Sequence, residues 1–165
     1  MLKGITHTSI IMGITFFLSM CATLILGNTM SVEEFGQFAL LKTFILLGAT
    51  FSLIGIDQLI IRKGKNDSIA LKYMFNYWII ISFSSVICSA VFSFIFSLKI
   101  SQFIYLWIIL FSQANLIYYA AYYRINHKFS ISQLVYNFWK ILLFLISIYV
   151  LSINIVKLDI YKFLA

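Results

Sequence analysis

Proline is absent from the chain, and only 10% of its 165 residues are charged. The first absence removes the residue that most sharply kinks or ends a helix, so long helices can run uninterrupted. The second excludes a water-soluble globule, in which about a quarter of the residues carry charge. Acidic residues are scarcest, five Asp and Glu against twelve Lys and Arg. The two cysteines, Cys21 and Cys88, stand in separate apolar segments with no metal-like spacing. They read as buried, inert thiols, and no metal or cofactor is expected.

What fills the chain is hydrocarbon. Apolar residues make up 62%, so lipid has to be the solvent for most of the surface. The formal net charge of +7 would point to nucleic acid in a soluble protein. In a membrane protein the same excess anchors the cytoplasmic loops, and no nucleic-acid partner is expected.

A spanning helix needs about twenty mostly apolar residues. Five stretches qualify: Thr8 to Leu26, Gly36 to Ile61, Tyr73 to Leu98, Phe103 to Tyr123, and Ile131 to Val156. Short connections join them, so the expected fold is all-α: one polytopic membrane helix bundle of about five transmembrane helices. Leu18-Ser19-Met20-Cys21 is similar to a lipoprotein cleavage box, but Met20 is bulky where a small residue is needed. The first stretch therefore reads as a retained helix. With the amino terminus in the cytoplasm, inside segments hold Lys3, Arg62, Lys63, Lys65, Lys72, Arg124 and Lys128, against Lys99, Lys157 and Lys162 outside. Seven against three sets that orientation.

Polar residues at membrane depth are costly and therefore informative. In the fifth stretch Gln133, Tyr136, Asn137, Lys140 and Ser147 share one helical face. Lys140 lies too deep for easy snorkelling. That face is expected to line a wet cavity that receives an anion; the alternative is a helix–helix seam. The fourth stretch repeats the pattern with Ser112, Asn115, Tyr119, Tyr122 and Asn126. The tyrosines read as an interfacial belt and Arg124 as an anchor, leaving Ser112 and Asn115 as the lining candidates. Lys42 is the deep charge of the second stretch. Asp57 near its far end is a candidate for ion coupling, or a helix-end carboxylate at the interface.

Small residues point instead to packing. Ser85, Ser89, Ser93 and Ser97 recur every fourth residue, and Gly48, Ser52 and Gly55 form a second such face. Thr6, Ser9, Gly13, Phe16, Met20, Thr23 and Gly27 form a third seam. Ser31 and Glu34 read as a capping box that starts the second helix after a tight turn. Gly36 is expected to let a neighbouring helix approach.

The run from Ile25 to Leu40, with Ser31, Glu33, Glu34, Phe35 and Gly36, followed by Gly55 and an apolar run closing on Arg62, resembles the amino-terminal part of the polysaccharide transporters, or O-antigen flippases. These belong to the multidrug/oligosaccharidyl-lipid/polysaccharide exporter superfamily. The resemblance is good from Met1 to about Arg62 and elsewhere rests on helix number and polarity. It implies a bacterial inner-membrane transporter of twelve to fourteen helices in two lobes, moving oligosaccharide on undecaprenyl pyrophosphate. Lys42 and Lys140 would then meet the pyrophosphate, with Asn137, Gln133 and Asn115 meeting sugars. Five helices fall short of two lobes. The chain is thus expected to be a fragment, a disrupted gene product, or a half that needs a second lobe or other polysaccharide assembly proteins. An enzyme is not expected, because the loops are short and His7 and His127 have no acid or nucleophile nearby. A drug exporter would call for deep carboxylates, and a small helical assembly subunit is the remaining alternative.

Overall fold

The computed structural model describes residues 2–63 and 74–153, with side chains for residues 6–62 and 75–151. Among them are seven helices and no strand: α1 (Leu2–Thr29), α2 (Val32–Ser52), α3 (Ile56–Lys63), α4 (Met74–Phe96), α5 (Ile100–Ile125), α6 (Phe129–Tyr136) and α7 (Phe138–Ile153). Helix is the form these segments must take, because lipid offers no partner to a backbone N–H or C=O. Hydroxyls obey the same constraint. Thr15, Thr23, Thr43, Ser52 and Ser85 each donate to the carbonyl four residues back, at 2.7–2.9 Å.

Four segments are long and apolar enough to cross a bilayer: Thr6–Thr29, Val32–Ser52, Phe75–Phe96 and Ile100–Ile125. A fifth candidate is the pair α6 and α7, bent by 44°, which makes either a broken span or a re-entrant loop. The outer surface is hydrocarbon, with Phe94 88%, Ile100 80% and Phe51 72% exposed. The chain is a multi-pass membrane protein built as an all-α bundle.

Two stretches read as single helices are each divided. The second does not run unbroken from Gly36 to Ile61: α2 begins at Val32 and ends at Ser52, and α3 restarts at Ile56. Between them Ile54 and Gly55 take positive φ, 49° and 76°. A β-branched residue there costs about 1–2 kcal/mol, and burial of Leu53 and Ile56 on either side offsets it. The fifth stretch breaks at Asn137, and its expected last residues, 154–156, lie outside the described ones.

Helix α5 is the centre of the bundle, packed against α2, α3, α4 and α6. Helix α1 sits apart, against α6 and α7, and barely touches α2. One core joins Leu26, Phe38, Leu41, Phe92, Leu110 and Leu143; the other joins Ala49, Leu53, Ile60, Ile81 and Tyr118. A buried hydrogen bond fastens α6 to α5, from Ser132 Oγ to the Ala120 carbonyl at 2.7 Å.

The glycines divide by role. Gly48 is a true contact: a Cβ there would stand 2.8 Å from Leu110 Cδ2. Ser85 and Ser89 are fully buried, as a packing face requires. Gly55 serves the turn instead of a seam, and Gly13 and Gly36 have no neighbour within 4 Å of a Cβ. The α1 seam faces outward, with Phe16 68% and Met20 54% exposed, while Thr15, Ala22 and Leu26 make the packed side. Ser97 lies beyond the end of α4 with φ 50°.

Candidate functional site

The start of α2 fixes the height of Lys42. Ser31 Oγ accepts from the Glu34 N–H, and the Glu34 carboxylate accepts from the Ser31 N–H at 2.9 Å, a complete capping box. Glu33 and Glu34 in the first turn suit the positive end of the helix dipole. With the helix starting at Val32, Lys42 stands at the midpoint of 21 residues. Its Cα is then about 15 Å from either end, beyond the ~6 Å reach of a lysine side chain.

Lys140 arrives at the same place from the other direction. The Asn137 side-chain amide donates to the Gln133 carbonyl at 2.8 Å and to Gln133 Oε1 at 3.3 Å, while the Asn137 backbone carbonyl accepts from the Lys140 N–H at 2.9 Å. These bonds end α6 and start α7, which puts Lys140 in the first turn of α7. The positive end of that helix dipole lies there too.

Trp139 joins the two amines. Lys42 Nζ lies 5.5 Å and Lys140 Nζ 5.8 Å from the centre of its ring. Among the described residues neither amine has a carboxylate partner. A desolvated cation–π contact returns about 2 kcal/mol, against a cost of about 2.5–3.5 kcal/mol for a lysine at the centre of a spanning helix. The ring alone leaves both amines short of a counter-charge.

Beside them is a cleft of about 180 Å³ between α2, α5 and α7. It exists because α2 packs on α5 and α7 on α1, while α2 and α7 hardly approach each other. Its polar lining is Lys42, Gln113 and Trp139; the remaining walls are apolar, Phe38, Ile109 and Leu142 among them. Lys140 touches the same indole without lining the cleft.

The other candidates fall elsewhere. Asn137 is 4% exposed, and its amide serves the helix break. Gln133 is its partner, and Tyr136 is exposed. Ser147 is buried and bonded to the Phe144 carbonyl. Ser112 faces outward from the bundle. Asn115 donates to the Phe111 carbonyl, and its buried Oδ1 has no partner among the described residues. Asp57 occupies the first turn of α3, where it accepts from Gln58 at 3.2 Å, away from the cleft. Among the described residues no group of three metal-ligating side chains exists.

Sequence reasoning passed over Gln113 and Trp139. The signal for the first was its place near the midpoint of α5, where an amide is costly; for the second, an indole next to a deep lysine.

No family model, no curated protein and no solved structure matches this chain.

Proposed function

We propose that the chain is a lobe of a bacterial exporter that carries oligosaccharide on undecaprenyl pyrophosphate across the cytoplasmic membrane, for surface polysaccharide. The observation that carries this reading is the meeting, on one indole, of two amines without carboxylate partners among the described residues, one of them at the midpoint of α2. A pyrophosphate entering hydrocarbon loses hydration that only fixed positive charge can replace. Lys42, Lys140 and the positive end of α7 supply such charge at the level where a transporter must hold a lipid head group in transit. The resemblance through Ser31, Glu33, Glu34, Phe35, Gly36, Gly55 and Arg62 names the class of cargo. Transport proceeds by rocking of this lobe against a second one, with the cleft exposed to each side in turn.

The test is complementation of a flippase-deficient strain with the chain and everything its locus encodes. Lys140→Ala is expected to lower surface polysaccharide at least about tenfold, while Lys140→Arg keeps part of it, because charge matters there more than donor geometry. Ser89→Ala, on the packing face of α4, is the quiet control. An epitope tag reports protein level, so that lost folding is not read as lost transport. Normal polysaccharide from Lys140→Ala at normal abundance would overturn the reading.

A further inference from the structure

The chain has five carboxylates, and none belongs to the middle of an apolar stretch. Glu33 and Glu34 occupy the first turn of α2 and Asp57 the first turn of α3. Glu34 is engaged with Ser31, and Asp57 with Gln58. Asp67 and Asp159 fall in basic stretches of the sequence, outside the five apolar ones. Glu34 is the carboxylate nearest Lys42 along α2, and at 1.5 Å per residue it stands about 12 Å away along the axis. A second copy inserted in the same orientation holds its carboxylates at the same heights. Self-pairing therefore brings no counter-charge to Lys42.

We infer that the groove between α2 and α7 is a docking surface for a membrane helix from a different partner, one that carries a single carboxylate near mid-depth. Charge complementarity carries the inference. Lys42 and Lys140 share one indole and have no carboxylate partner among the described residues, and ionisable groups inside a membrane pair with one another. The shape agrees. α2 and α7 hardly approach each other, and the walls between them are apolar, with Ile45 and Leu46 on one side and Leu142 and Ile146 on the other. The rim continues onto lipid-facing leucines, Leu47 and Leu145, each 55% exposed. Such a groove suits an apolar helix with one acid aimed at Lys42. Lipid gives helices no hydrophobic reason to associate, so packing and polar pairs choose the partner. In one clause the inference rests on the exporter reading: the helix belongs to the second lobe and holds the amines between transport cycles. One carboxylate leaves one of the two ammonium charges unmatched, so a pyrophosphate, which brings two charges, displaces it.

The probe is a synthetic Leu/Ala helix of about 23 residues with one Glu at its centre, compared with the same helix carrying Gln. Association is read in nanodiscs of neutral lipid by fluorescence transfer from a donor on Val32→Cys, a position 92% exposed, with Cys21→Ala and Cys88→Ala. The Glu helix is expected to bind at least about tenfold more tightly than the Gln helix. Lys42→Met with Lys140→Met is expected to abolish that preference, and Ser89→Ala to leave it intact. Melting temperatures in the same discs separate lost docking from lost fold. Equal binding of the Glu and Gln helices overturns the docking surface and leaves the exporter reading to its own complementation test. A Glu preference that survives in the double variant overturns the assignment to these amines. A labelled second copy of the chain that binds as tightly as the Glu helix overturns the choice of partner. Undecaprenyl pyrophosphate is expected to displace the Glu helix. A Glu preference without displacement leaves the docking surface standing and overturns the exporter reading of Lys42 and Lys140.

Discussion

Gly48 of α2 and Leu110 of α5 meet so closely that a Cβ on the glycine would come within 2.8 Å of the leucine Cδ2. Leu110 is fully buried and has little room to retreat. Gly48→Val is therefore expected to destabilise the bundle by about 1–3 kcal/mol. Gly48→Ala, which places that Cβ alone, should cost less than Gly48→Val, because relief of glycine's helix penalty, about 1 kcal/mol, offsets part of the clash. Unfolding by steric trapping in bicelles measures both. Pairing Gly48→Val with Leu110→Val should cost less than the two changes separately. Strict additivity would show that the two side chains do not share the space.

The capping box makes a local prediction. Ser31→Ala removes the acceptor for the Glu34 N–H and is expected to cost about 1 kcal/mol at the head of α2. Ser31→Asp should retain most of that stability, since a carboxylate also accepts at this position. Amide exchange at Glu34 and Phe35 is the readout. Unchanged protection in Ser31→Ala would mean that the turn from Met30, and not the cap, sets the start of the helix.

Orientation is open to direct labelling. In a background with Cys21→Ala and Cys88→Ala, Ser31→Cys should react with an impermeant thiol reagent in intact cells. Asn66→Cys, in the basic segment between α3 and α4, should react only after permeabilisation. The reverse pattern would invert the assignment drawn from the seven basic residues of the inside segments.

Local chemistry was legible in the sequence and neighbour choice was not. Ser31 and Glu34 lie three residues apart and find each other whatever surrounds them, so their motif could be read directly. Lys42 and Lys140 were legible as deep charges because hydrocarbon penalises any lysine. Which polar residue of α5 faces the cleft was a different question. Ser112, Gln113 and Asn115 are close in sequence, and packing of α5 between its neighbours, not periodicity, chose Gln113. The breaks were hidden for a related reason. Gly55 looks the same in a seam as in a turn until φ is known, and Asn137 looks like cavity lining until its amide is found on Gln133.

The midpoint position of Lys42 on α2 has an electrical meaning. An anionic group held there has crossed about half of the transmembrane voltage, from whichever leaflet it came. One charge crossing fully is worth about 2.3 kcal/mol per 100 mV, so each half-step is worth about 1.2 kcal/mol per charge. An interior-negative voltage pushes anions outward on both half-steps and opposes both on the way back. If the chain carries an anion as proposed, net outward drive needs no second, off-centre charge in the protein, because the polarised membrane supplies the same bias before and after a stop at Lys42.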